Sequence, residues 1–148
     1  MKIFRSCSFL VLFSLSQILS GCLEGKPPHI ETGRDFNGYE RRVMDTLSEF
    51  KINETMNIQL YNESSFDVDS IELRLYAGTT AAHAEPLFTQ KVSVNPNSQD
   101  LIIRGSQNKP LSARGLLRTS KVGAYYLEFR NGPLVIAGKD IQLHNSKE

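Results

Sequence analysis

Few side chains in this sequence have the type and spacing to do chemistry, and the thiols come first. The chain has two cysteines, Cys7 and Cys22. Cys22 closes the tetrapeptide Leu19-Ser20-Gly21-Cys22, and Cys7 lies in the stretch before it. Beyond residue 22 no thiol remains to form a disulfide, bind a metal or attack a substrate. The three histidines, His29, His83 and His144, are far apart. None has a second histidine at i+3 or i+4, so no local metal motif is present. Glu63, Asp67 and Asp69 gather carboxylates in one polar run, without the spacing or terminal glutamate of a helix–loop–helix calcium site. No metal and no cofactor are expected.

The segment around Cys22 is more specific. Met1-Lys2-Ile3-Phe4-Arg5 is cationic, Ser8 to Leu19 is mostly apolar, and small residues precede the cysteine. That order is a secretory signal. The apolar run is broken by Ser14, Ser16 and Gln17 and falls short of the ~20 residues that a membrane-spanning helix needs. The final tetrapeptide resembles the lipobox of bacterial lipoproteins. The resemblance implies cleavage before Cys22, a diacylglyceryl thioether on its sulfur and acylation of the new amino terminus. Each buried methylene contributes about 0.8 kcal/mol, so two or three chains anchor stably where one holds marginally. The expected location is the bacterial cell envelope, lipid-anchored. In a Gram-negative source it is the outer membrane, because Leu23 rather than Asp follows the cysteine.

Ser48-Glu49-Phe50-Lys51 and Ser106-Gln107-Asn108-Lys109 have the Ser-x-x-Lys spacing of penicillin-recognising serine enzymes. That family also needs Ser-Asp-Asn and Lys-Thr-Gly elements and a helical setting, and the sequence lacks both elements. No other nucleophile–base pair is visible, so no enzymatic activity is expected.

The elements that would position any site follow from periodicity. Residues 1–21 read as the cleaved signal and 22–38 as a tether, because Gly25, Pro27, Pro28, Gly33 and Gly38 punctuate a polar stretch. Residues 39–148 read as one domain. Val43, Met44, Leu47 and Phe50 follow helical spacing, which admits one short N-terminal helix over 39–50, with an irregular lead into a first strand as the alternative. Further on, the period becomes two. Met56, Ile58 and Leu60 alternate with polar residues, and Ile71, Leu73 and Leu75 alternate with Glu72 and Arg74. Phe88 to Val94, Leu101 to Ile103 and Leu111 to Arg118 supply shorter candidates. Tyr125, Leu127 and Phe129 share a face opposite Tyr126, Glu128 and Arg130. Asn131-Gly132 then signals a hairpin into Leu134-Val135-Ile136, with Gly138 as a candidate bulge. Seven to eight short strands with frequent turns predict an all-β antiparallel sandwich.

Gly123 to Phe129 resembles the penultimate strand of immunoglobulin-like and fibronectin type III-like sandwiches. The resemblance implies that Tyr125 folds back to hydrogen-bond the preceding corner and that Leu127 stands where antibody domains carry a core cysteine. The chain has no tryptophan and no cysteine pair in this region, which excludes the antibody type. The fold alone does not assign a function.

Charge narrows the partners. The signal holds Lys2 and Arg5, so the remaining chain carries 15 basic and 16 acidic side chains, net −1. This gives no reason to expect nucleic acid. The distribution is uneven: Arg104, Lys109, Arg114, Arg118 and Lys121 lie in an interval without any acidic residue. They form a candidate binding surface for an anionic lipid or an acidic partner, and equally a solvated edge that discourages aggregation. The combined expectation is a non-enzymatic envelope lipoprotein. It would contact the membrane through its anchor and bind another envelope protein or a surface polysaccharide. A carbohydrate-binding or enzyme-accessory module, with Tyr76 and Tyr126 stacking on sugars, is the alternative.

Overall fold

Nine strands run through residues 26–79, 85–105, 115–116 and 121–146, the parts of the chain that the computed structural model describes. They are β1 (His29–Asn37), β2 (Arg42–Thr46), β3 (Glu49–Lys51), β4 (Asn57–Tyr61) and β5 (Ser70–Ala77), then β6 (Phe88–Ser93), β7 (Asp100–Ile103), β8 (Gly123–Asn131) and β9 (Leu134–His144). One sheet has the order β2-β1-β4-β7 and the other β3-β9-β8-β5-β6. All pairings are antiparallel except β3 with β9. The two sheets pack face to face as an immunoglobulin-like sandwich.

The alternation read from the sequence decides which side of each strand is buried. Ile58 and Leu60 of β4, Ile71, Leu73 and Leu75 of β5, and Tyr125, Leu127 and Phe129 of β8 meet in one core. Register places Leu73 beside Phe129 and Leu75 beside Leu127. Ile141 and Leu143 of β9 and Phe50 of β3 close the core on one side. The Tyr125 hydroxyl donates to the Lys121 carbonyl at 2.6 Å, so the tyrosine folds back onto the corner before its own strand.

Two expectations for the N-terminal part are corrected. Residues 29–37 are strand β1, not tether, so the lead between Cys22 and the first strand shrinks to residues 23–28. Ile30 and Thr32 of β1 are buried while His29 and Glu31 face outward, and β4 pairs with all of them. Residues 39–50 contain no helix: they hold β2 and β3, which belong to different sheets. The crossing between the sheets is fixed by Thr32. Its hydroxyl donates to the Leu47 carbonyl, and its carbonyl accepts from the Leu47 N–H at 2.7 Å.

Finer points also differ. Of Leu111 to Arg118, only Gly115 and Leu116 are described; they are helical, not extended, and Leu116 is buried in the core. The bulge in β9 falls at Ile136 rather than Gly138, because Phe129 pairs with Ala137 and Arg130 with Val135. The β8–β9 loop is Gly132-Pro133. Positive φ occurs at Gly132 and not at Asn131, as in hairpins with glycine at the first loop position.

Lys139 of β9 lies beside Leu127 in the register and so points between the sheets. Desolvation lowers the pKa of its ammonium group, while Glu31 acts to raise it. Inward charge of this kind discourages a second chain from extending the sheet.

Candidate functional site

The outer face of the four-stranded sheet is roofed at one side by its own edge strand. β1 pairs with β4 along its first half and with β2 along its second, and both partners meet at Gly33. There β2 folds over the sheet so closely that a Cβ on Gly33 would come within 2.3 Å of the Met44 carbonyl oxygen and 2.7 Å of a Val43 methyl. A side chain is therefore excluded. Gln59, buried on the same face, ties the roof down. Its Oε1 accepts from the Val43 N–H at 2.9 Å, and its Nε2 donates to the Arg41 carbonyl at 3.1 Å. The turn ahead of β2 is capped by Asn37, whose Oδ1 accepts from the N–H groups of Tyr39 and Glu40.

Beneath and beside this overhang lies a cleft of about 560 Å³. Its floor is His29 and Glu31 of β1 with Tyr61 of β4, its wall is Arg42–Thr46, and Lys26, Asn62, Glu63 and Gln99 border it. The rings of His29 and Tyr61 stack with centroids 4.8 Å apart and planes 17° from parallel. His29 Nδ1 lies 2.9 Å from the Pro27 carbonyl, an acceptor, so Nδ1 carries the proton and Nε2 faces the Glu31 carboxylate at 3.8 Å. Burial, with Glu31 and Asp100 close by, pushes the Tyr61 hydroxyl above its usual pKa, so it stays a neutral donor at physiological pH. The cleft thus joins an aromatic pair to cations (Lys26, Arg42) and carboxylates (Glu31, Asp45, Glu63). Such a lining suits a polar ligand held by hydrogen bonds in both directions.

Of these residues the sequence singles out His29, Val43, Met44 and Glu63, each for a separate reason (a tether, a helical stripe, a carboxylate run), and it does not bring them together. The signal that would have found them is the alternation of His29, Glu31 and Gly33 with Ile30 and Thr32.

The other residues singled out from the sequence lie elsewhere. Cys22, Lys109, Arg114 and Arg118 are outside the described residues. Arg104 places its guanidinium 4.1 Å from the centroid of Phe36, a cation–π contact within the domain. Lys121 is exposed, and its carbonyl serves the Tyr125 hydroxyl. His144 sits 3.6 Å from Glu49, and His83 is outside the described residues. Ser48 precedes and Lys51 ends the extended strand β3, not the helical turn that Ser-x-x-Lys chemistry uses, while Ser106–Lys109 is not described. Among the described residues, no three histidine, cysteine or acidic side chains come together as a metal site.

Tyr76 and Tyr126 do come together, on the outer face of the five-stranded sheet, with ring centroids 6.1 Å apart and a 35° tilt. They are 3% and 8% exposed, so they do not present ring faces to a sugar. Tyr126 lies flat over Gly138, where a Cβ would be 1.8 Å from its hydroxyl oxygen. Glu128, also buried, receives the Tyr76 hydroxyl at 3.4 Å and faces Arg130 Nε at 3.5 Å. This face is closed by its own side chains.

No protein-family model matches the sequence, and no curated protein matches it. Among solved structures, the chain is similar to the crystal structure of an immunoglobulin-like protein from Pseudomonas aeruginosa. The two are 12% identical over 82% of this chain and 99% of that one, with a TM-score of 0.47.

Proposed function

We propose that this chain is a lipid-anchored lipoprotein of the bacterial envelope with a non-enzymatic binding or assembly role. In a Gram-negative cell it resides on the outer membrane. Its receiving site is the cleft beneath β2, and its partner is a polar segment of another envelope protein. The carrying observation is the cleft's position and lining. Lys26, His29, Glu31, Arg42 and Tyr61 form a polar, aromatic recess where the chain enters the domain, a few residues after Cys22. A surface polysaccharide is the second reading, favoured by the Tyr61 ring beside carboxylates and Gln99. Nucleic acid fits neither the address nor the near-neutral charge.

Two results test this reading. Cys22→Ala is expected to abolish metabolic labelling with fatty acid and to leave the precursor uncut by the lipoprotein peptidase. Labelling that survives, or a mature terminus at another residue, overturns the anchor. For the cleft, in-cell crosslinking followed by mass spectrometry identifies what the wild-type protein touches. The double variant Arg42→Glu/Tyr61→Ala is expected to keep its fold and lose that adduct. An undiminished adduct removes the cleft as the site.

A further inference from the structure

The geometry points to the end of the sandwich that carries the β8–β9 hairpin as a membrane-resting face, with Leu134 and Val135 embedded in the bilayer that holds the anchor. This rests on the lipid-anchor reading above. Seven residue steps separate Cys22 from His29, at most about 25 Å of extended chain. The end of the domain where β1 begins therefore stays close to the lipid.

The registers identify what else lies at that end. His29 pairs with Tyr61, and Tyr61 with Asp100. The loop from Tyr61 leads to Ser70, which pairs with Ser93, and Glu72 pairs with Arg130 just before the hairpin turn. Chain entry, the 62–69 loop and the β8–β9 turn thus share one end. β1 is nine residues long, so the opposite end lies about 30 Å away.

Among the described residues, five large apolar side chains are exposed: Tyr39, Leu87, Val122, Leu134 and Val135. Tyr39 follows the far end of β1, Val122 precedes β8, and Leu87 lies opposite the far part of β5. Leu134 and Val135, 67% and 43% exposed, are the two at the end where the chain enters. They are adjacent, and they follow Pro133, whose carbonyl is held by Arg130 at 2.6 Å. A short, braced apolar tip suits the boundary between headgroups and acyl chains. The neighbouring loop carries Glu63, Asp67 and Asp69, which would repel anionic headgroups. The contact is therefore apolar, made with zwitterionic lipid and insensitive to salt.

The protein contains no tryptophan, so one introduced residue reports one position. The test uses the mature lipidated chain, reconstituted in vesicles of phosphatidylethanolamine and phosphatidylcholine carrying brominated acyl chains. Leu134→Trp is expected to show blue-shifted fluorescence, quenched several-fold more than in Tyr39→Trp at the far end, in low and high salt alike. Both positions are exposed, and an unchanged urea midpoint shows that each variant is folded. Equal quenching, or stronger quenching in Tyr39→Trp, overturns the inference while leaving the anchor intact. A chain that fails to float with the vesicles overturns the anchor and, with it, this seating.

Discussion

Phe129→Ala is expected to lower the stability of the domain by about 3–5 kcal/mol. Phe129 is completely buried, flanked in the register by Leu73 on one side and Ala137 on the other. The vacated volume faces the opposite sheet, where Ile58 and Leu60 belong to the same core and are held by their own ladders. The void cannot collapse without pulling β4 from β1 and β7. Set against a total stability of about 5–15 kcal/mol for a domain of this size, the loss leaves little reserve. A urea titration reads it as a fall in midpoint with an unchanged slope. Tyr126→Ala makes the informative comparison. Tyr126 is on the outer face yet nearly buried, so its loss exposes Gly138 and leaves Tyr76 without its neighbour. Its cost should exceed that of an ordinary surface change and remain below that of Phe129→Ala. If Tyr126→Ala is the worse of the two, the core does not lie on the side assigned to Phe129.

Gly33→Ala is expected to cost about 1–3 kcal/mol, the range for forcing a methyl group into filled space. The atoms in the way are the backbone oxygens of Met44 and Asp45 and a methyl of buried Val43. None can rotate aside as the tip of a long side chain could. β2 must lift, and Gln59 then loses the Val43 N–H and the Arg41 carbonyl. The effect should be local. Amide exchange is expected to accelerate in β2 while the β5 and β8 amides keep their protection. Unchanged exchange at Val43 would show that the strand does not depend on this close approach.

How legible the molecule was in its sequence depends on what each strand faces. β5 and β8 were readable because one face is uniformly apolar. Tyr125 was readable through the resemblance of Gly123 to Phe129 to the penultimate strand of immunoglobulin-like sandwiches, which implies a tyrosine folded back onto the corner behind it. β1 was not readable. Its inward positions are Ile30 and Thr32, and the next is the exposed Arg34, so the apolar signal stops after one residue. The helical spacing of Val43, Met44, Leu47 and Phe50 was misleading for a definite reason. Val43 is buried under the roof of one sheet and Phe50 in the core against the other, with the crossing at Leu47 between them. Two short strands in different layers reproduced the stripe of one helix. Period two also does not distinguish a covered polar face from a wet one, which is why Tyr76, Tyr126 and Glu128 read as exposed. The cleft also needs β2 laid over β1 and β4, and the alternation within β1, which marks its outer face, does not show that overhang.

The parallel pairing of β3 with β9 has a temporal consequence. Glu49–Lys51 finds its partner in Gln142–His144, 93 positions later. The Ile52 N–H reaches the His144 carbonyl, and the Ser48 carbonyl receives the Gln142 N–H. Until Gln142–His144 are in place, Phe50 has no strand to lie against and the core stays open on one side. Closure of so long a loop places the domain among folds that mature in milliseconds to seconds rather than microseconds. The sandwich is therefore incomplete until β9 docks against β3, and the Gln142–His144 segment acts as its clasp.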